Sequence, residues 1–85
     1  MKAYNSLFAD LRVLANQLFA NFVQHRRLQL RMTCSEAAEL AGLPFFTWVA
    51  IESGWHSELS DNLVLTMAGT LEVSVDVIRR LSHSN

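Results

Sequence analysis

The side chains that could do chemistry are few and too scattered to form a catalytic or metal site. Three histidines, His25, His56 and His83, occur in the 85 residues without the short spacing of metal ligands. The lone cysteine, Cys34, excludes an internal disulfide, and its place at a predicted helix start predicts an exposed thiol with a lowered pKa. No glycine-rich phosphate loop or nucleophile motif occurs. We therefore expect no enzyme, no cofactor and no metal.

A cluster of arginines near the end of the first predicted helix is open to two interpretations. Arg26, Arg27 and Arg31 either lie in solvent and complement the negative end of the helix dipole, or bind phosphates. Lys and Arg total 7 and Asp and Glu total 8, so the net charge is −1. A nucleic-acid binder usually carries a basic excess, and here any such excess must be local.

Helical periodicity predicts an all-α domain of about five helices. From Ser6, a predicted N-cap, to Arg31, apolar residues recur every three or four positions in two adjacent stripes. The combined face is wide, which predicts burial against more than one neighbour. Whether this segment is one helix or two is open. The first stripe contains Leu7, Leu11, Leu14, Leu18 and Phe22, and the second contains Phe8, Ala15, Phe19 and Val23.

Two short helices that meet at a sharp bend are predicted next. Thr33 and Glu36 match a capping box at the start of the first, and Gly42 ends it because glycine tolerates a positive φ. Pro44 is predicted in the first turn of the second helix, which Gly54 caps. A fourth helix begins after Ser57 or Ser60, and a fifth is capped by Ser74 with Arg79 and Arg80 in its last turn.

Four segments follow one another in the order and spacing of a known family. They are RRL at 26–28, MT at 32–33, EAAELAGL at 36–43 followed by Thr47 and IESG at 51–54, and LEVSVD at 71–76. From about Val23 to Leu81 the chain resembles the lambda-repressor/Cro-type (XRE) helix-turn-helix family. The resemblance implies a transcription regulator that binds duplex DNA as a dimer, with the second motif helix in the major groove.

The residues that this resemblance places against DNA include few with the chemistry to read bases. Between positions 44 and 54 there is no Lys, Arg, Asn or Gln, and Phe46, Ala50 and Ser53 are predicted to face outward. Trp48 is predicted to face the core, with Pro44, Ile51 and Glu52 on the same side. The outward face offers no fork for guanine and no amide for adenine. The implied contacts are Arg26, Arg27 and Arg31 on phosphates, and Thr33, Cys34, Ser35, Pro44, Phe46, Thr47 and Ala50 along the groove.

Two functions are therefore open. The first is the DNA-binding regulator that the resemblance implies. The second is a helix-turn-helix turned protein-interaction module, an anti-activator or inhibitor, that binds a protein partner through Phe45, Phe46, Val49 and Trp55.

The segment before the resemblance is predicted to be a helical extension. We divide the chain into residues 1–17 as this extension, 18–82 as the helix-turn-helix domain and 83–85 as a loose tail. Leu7, Phe8, Leu11 and Leu14 predict a homodimer contact, and the alternative is a helix that covers its own core. No apolar run is long enough to span a membrane and no signal peptide is evident, so we expect a cytoplasmic protein.

Overall fold

The prediction of an all-α chain with five helices is confirmed for the residues described. A computed structural model gives residues 2–55 and 59–82, with the side chains of the first helix described from Leu14 onward. Every regular element in these ranges is an α-helix. The helices are α1 (Lys2–Gln29), α2 (Cys34–Ala41), α3 (Phe45–Glu52), α4 (Asp61–Leu71) and α5 (Val75–Ser82).

Helix α1 is one continuous helix of 28 residues. It begins at Lys2 rather than after Ser6, so the predicted N-cap at Ser6 is wrong. It also runs through the proposed boundary between residues 17 and 18. The helix ends at Gln29, and Arg31 adopts a left-handed conformation with φ of 60° that turns the chain toward α2. A 28-residue helix is about 42 Å long, which accounts for the 44 Å long dimension of the molecule.

Helices α2 and α3 meet at the predicted bend. The Glu36 amide donates to the Thr33 hydroxyl over 3.1 Å, and the Thr33 amide donates to Glu36 over 2.8 Å, which confirms the capping box. Gly42 has φ of 68° and closes α2. Pro44 is the N-cap of α3 and is exposed, so its predicted place in the first turn and on the core side is wrong. Ser53 is the C-cap, and Gly54 follows it with φ of 77°.

The core lies where α1, α2, α3, α4 and α5 converge. Trp48 and Phe19 are its largest fully buried side chains, and small residues of α2 let that helix approach α4 closely. Ser60 caps α4 through a 3.2 Å bond from the Leu63 amide, and Ser74 caps α5. The remaining buried apolar residues are Ala20, Val23, Ala37, Ala38, Ala41, Ile51, Leu59, Val64, Met67, Ala68, Leu71 and Ile78.

The two apolar stripes of α1 have different environments. Phe19 and Val23 of the second stripe are fully buried, whereas Leu14 and Leu18 of the first stripe are 57% and 60% exposed. The described helices leave Leu14 and Leu18 uncovered, and the homodimer contact predicted for Leu14 stays a prediction. The side chains of Leu7, Phe8 and Leu11 lie outside the described ones, as does the predicted tail at 83–85. Within the described residues, no helix has the length and apolar character needed to cross a membrane.

Candidate functional site

The exposed apolar surface of α3 is the candidate site. We define the α3 face as Phe45, Phe46, Val49 and Trp55. Phe46 and Trp55 are each 82% exposed and Phe45 is 46% exposed, while Val49 is half-buried. The prediction that Phe46 points outward is confirmed.

Local structure pairs the rings of Phe45 and Phe46 and fixes the backbone that carries Trp55. The rings of Phe45 and Phe46 meet edge to face with centroids 5.8 Å apart, a favoured geometry for aromatic pairs. Trp55 follows Gly54, and its amide donates to the Ala50 carbonyl over 2.9 Å. Gly54 lies against α1, where an added Cβ would meet the Gln17 side chain at 3.4 Å and the Asn16 carbonyl oxygen at 3.7 Å. The backbone of Trp55 is thereby held at the end of α3, next to the glycine that lies against α1.

The inner side of α3 is anchored by an ion pair to α1. Arg27 donates to both carboxylate oxygens of Glu52, over 2.6 and 3.0 Å, and its third bond runs 2.8 Å to the Met32 carbonyl. The Trp48 indole N–H donates to the same carboxylate. The Arg27 and Glu52 side chains are 9% and 8% exposed. The hydrogen bond to Glu52 raises the pKa of Arg27 above its usual value, so the guanidinium stays charged inside the domain.

Arg26 and Arg27 use side-chain donors within the molecule rather than presenting them to a phosphate. Arg27 is buried with its donors aimed at Glu52 and Met32, so the expectation that it lies at the surface is wrong. Arg26 donates to the backbone carbonyls of Leu71 and Glu72 over 2.8 and 3.3 Å, which ties α1 to the end of α4. Arg31 is exposed, and its side chain makes no hydrogen bond within the described part of the chain.

Cys34 does not have the exposed, acidic thiol that its position at a helix start predicted. The side chain is partly buried, and its Sγ lies 3.8 Å from Glu52 Oε1. Burial raises the pKa of the Cys34 thiol, and the neighbouring Glu52 carboxylate raises it further. A thiol with a raised pKa is a poor nucleophile at neutral pH, so the expectation of a lowered pKa is wrong.

The other residues assigned to a DNA groove are spread over the α2–α3 corner. Thr33, Ser35 and Pro44 are exposed, and Thr47 and Ala50 are half-buried. The Thr33 hydroxyl is already used in the capping box. The exposed side of α3 carries no basic or amide side chain, so it offers no bidentate donor to the edge of a base.

A second exposed apolar surface was missed from the sequence. Leu40 and Leu65 are 68% and 55% exposed and line a shallow depression of about 410 Å³ between α2 and α4. Thr66, Gly69, Thr70 and Glu72 complete its lining. The sequence predicts the helix that carries Leu40, but not that its side chain points away from the core.

The described residues contain no group of three or more His, Cys, Asp or Glu side chains placed to hold a metal ion. Comparison with known proteins finds no matching family model, no matching curated protein and no matching solved structure.

Proposed function

We propose that this chain is a regulatory interaction module of the helix-turn-helix type, which binds a protein partner through the α3 face. The supporting observation is the 82% exposure of Phe46 and Trp55 on a surface that lacks base-reading donors. Tryptophan and other aromatic side chains supply the anchors of many protein interfaces, because they bury a large area at little entropic cost. Two such rings left in water on a small domain are typical of an interaction surface.

The chemistry of the α3 face indicates the kind of partner. The charged side chain of α3 is Glu52, and its carboxylate is taken up by Arg27 and Trp48. The outward surface is therefore apolar and uncharged, and it fits an apolar groove or the apolar side of a partner helix. Tight binding requires the partner to cover both Phe46 and Trp55, because an anchor side chain contributes fully only when water is excluded from it.

The experiment begins by placing a photoreactive phenylalanine analogue at position 46 in the full chain in its native host. Crosslinking is expected to join the chain to one protein, which mass spectrometry identifies. The same analogue at position 65, an exposed leucine on α4, is the control and should not give that product. The identified protein is then purified and titrated into the wild-type chain, with tryptophan fluorescence as the readout; both Trp48 and Trp55 contribute to it, and Trp55 is the exposed one.

Phe46→Asp is expected to weaken this binary complex at least about tenfold, because a buried phenylalanine contributes about 1.5–3 kcal/mol. Phe46 is 82% exposed, so the substitution should leave the urea midpoint of the free chain unchanged. Leu65→Asp, on a different surface, should leave the complex intact. An unchanged dissociation constant for Phe46→Asp, or crosslinks to DNA alone, would refute the proposal.

Duplex DNA binding is the second candidate function, and the α2–α3 bend favours it. The capping box, Gly42 at the bend and an exposed Arg31 in the turn before α2 resemble the geometry with which helix-turn-helix regulators approach a groove. With Arg26 and Arg27 engaged inside the molecule, a dimer using Arg31 alone would neutralise about two phosphates. The logarithm of its affinity should then fall with the logarithm of salt concentration with a slope near −2.

Retardation of random duplex DNA at about 50 mM salt separates the two candidates. DNA binding predicts a retarded band that Arg31→Ala weakens and that one sequence tightens. The protein-interaction proposal predicts no retarded band at this salt concentration. Phe46→Asp is informative in both assays. If the α3 face binds DNA, the new carboxylate lies beside the phosphates and should weaken the retarded band.

A further inference from the structure

The depression between α2 and α4 combines apolar walls with polar groups that are free to bind a ligand. Leu40 and Leu65 are 68% and 55% exposed within it, and Glu72 is exposed beside them. Among the described residues, the Glu72 carboxylate forms no ion pair, and the hydroxyls of Thr66 and Thr70 form no hydrogen bond. The α2–α4 depression is lined by Leu40, Leu65, Thr66, Gly69, Thr70 and Glu72.

Two positions of the α2–α4 depression hold residues that the local backbone disfavours. Gly69 lies in the last turn of α4, where alanine stabilises a helix better, and a Cβ added there meets open space. Glu72 has φ of 56°, a left-handed conformation that glycine adopts more readily. Neither packing nor backbone geometry explains why position 69 is glycine and position 72 is glutamate. Departures from local preference concentrate at functional sites, and here both occur in one depression of about 410 Å³.

The charge of the α2–α4 depression indicates a cationic ligand. Arg26 reaches this end of α4 from α1, but it donates to the backbone carbonyls of Leu71 and Glu72, over 2.8 and 3.3 Å. The carboxylate of Glu72 thus keeps its charge available to a cation from outside the chain. An anionic or purely apolar ligand would leave that charge without a partner, so charge complementarity selects a positively charged one.

We propose that the α2–α4 depression binds an arginine side chain of a partner peptide. The guanidinium carries several N–H donors in a planar fork, which matches the two oxygens of the Glu72 carboxylate and the nearby threonine hydroxyls. Its methylene groups lie on Leu40 and Leu65, as the stems of long cationic side chains do on apolar surface. The absence of a side chain at Gly69 leaves the room for it. This site shares no residue with the α3 face, so it goes beyond the proposed function.

Titration of the isotope-labelled full chain with the peptide acetyl-ALRLA-amide, followed by NMR, tests the proposal. Saturable shift changes are expected at the backbone amides of Leu40, Leu65, Gly69 and Glu72. The expected dissociation constant is about 1–10 mM, because one exposed charge pair and a few apolar contacts bind weakly. The same peptide with citrulline in place of arginine keeps the shape without the charge, and should bind at least about threefold more weakly.

Two variants of the full chain locate the site. Glu72→Gln is expected to abolish the difference between the arginine and citrulline peptides, because it removes the charge and keeps the side-chain length. Gly69→Leu is expected to prevent binding of both peptides by filling the depression. Leucine is a good helix former and a Cβ at position 69 meets open space, so the circular dichroism and the urea midpoint of this variant should be retained.

Glu39→Gln is the matched control, because Glu39 is exposed on α2 but does not line the α2–α4 depression. It should preserve the preference for arginine, and so should Phe46→Asp, which separates a failure of this proposal from a failure of the proposed function. The proposal is overturned by an absence of shift changes at about 20 mM peptide, which lies above the expected dissociation constant. Equal binding of the two peptides to the wild-type chain, or unchanged binding to Gly69→Leu, also overturns it.

Discussion

Glu52 connects three parts of the molecule through one carboxylate. It accepts hydrogen bonds from Arg27 on α1 and from Trp48 one turn earlier on α3, and it lies 3.8 Å from the Cys34 sulfur at the start of α2. Removing one partner of a buried ion pair leaves the other charge without compensation, and this costs more than the pair itself contributes. The orientation of α3, and with it the direction in which Phe46 points, depends on this carboxylate.

We therefore expect Glu52→Gln to lower the free energy of unfolding by roughly 3–5 kcal/mol. The amide can replace one acceptor, but it leaves the Arg27 charge buried. Urea titration followed by circular dichroism measures the change. Glu39→Gln is the matched control, because Glu39 is exposed on α2 and its loss should change stability by less than about 0.5 kcal/mol.

The double variant Arg27→Met, Glu52→Met makes the Glu52 prediction more specific. It removes both charges together, and it should recover part of the stability that Glu52→Gln loses. If Glu52→Gln and Glu39→Gln behave alike, the ion pair does not hold α3 in place.

At the scale of the helices, the ends were easier to predict than the faces. Helix ends depend on local chemistry: the Thr33 and Glu36 pair, Gly42 and Ser60 each satisfy backbone groups within a few residues, so the sequence alone indicates them. The predicted start of α1 was wrong. Ser6 matches an N-cap, but the helix begins four residues earlier, at Lys2. Nothing in the sequence breaks the helix at that serine, and a cap residue alone does not force an end.

The end of α4 has a residue that its backbone conformation disfavours. Glu72 is the C-cap with φ of 56° and ψ of 46°, a left-handed conformation that strains residues with a Cβ. Glu72→Gly is expected to raise the free energy of unfolding by about 0.5–1 kcal/mol, because the relief of strain exceeds the added entropy of the unfolded chain.

Gly42→Ala is expected to lower the free energy of unfolding, because it places a residue with a Cβ in a left-handed conformation. Gly42 ends α2 with φ of 68°, and the space around its Cβ position is open, so strain rather than collision opposes the alanine. We expect a loss of about 1 kcal/mol in a urea titration. Destabilisation by Glu72→Gly would show that the side chain of Glu72 stabilises the end of α4 by more than the left-handed backbone costs.

For the whole molecule, the sequence could not tell which apolar stripe of α1 faces the core. Both stripes had helical spacing, and the choice depends on α3, α4 and α5, which pack against α1 from distant parts of the chain. The burial of Arg27 was hidden for the same reason, since its partner Glu52 is 25 residues away. The exposure of Phe46 was predictable because it required only the helical phase around Trp48.

The distribution of charge over the molecule leads to a last prediction. The net charge is −1, and the ion pair among the described side chains, Arg27 with Glu52, is nearly removed from solvent. Dissolved ions screen exposed charges but act weakly on a buried pair. The free energy of unfolding should therefore change by less than about 0.5 kcal/mol between roughly 0.05 and 0.5 M NaCl. Urea titrations at the two salt concentrations measure it. A loss above about 1 kcal/mol at high salt would mean that exposed charges hold the helices together, and that the buried pair is not the main electrostatic contact.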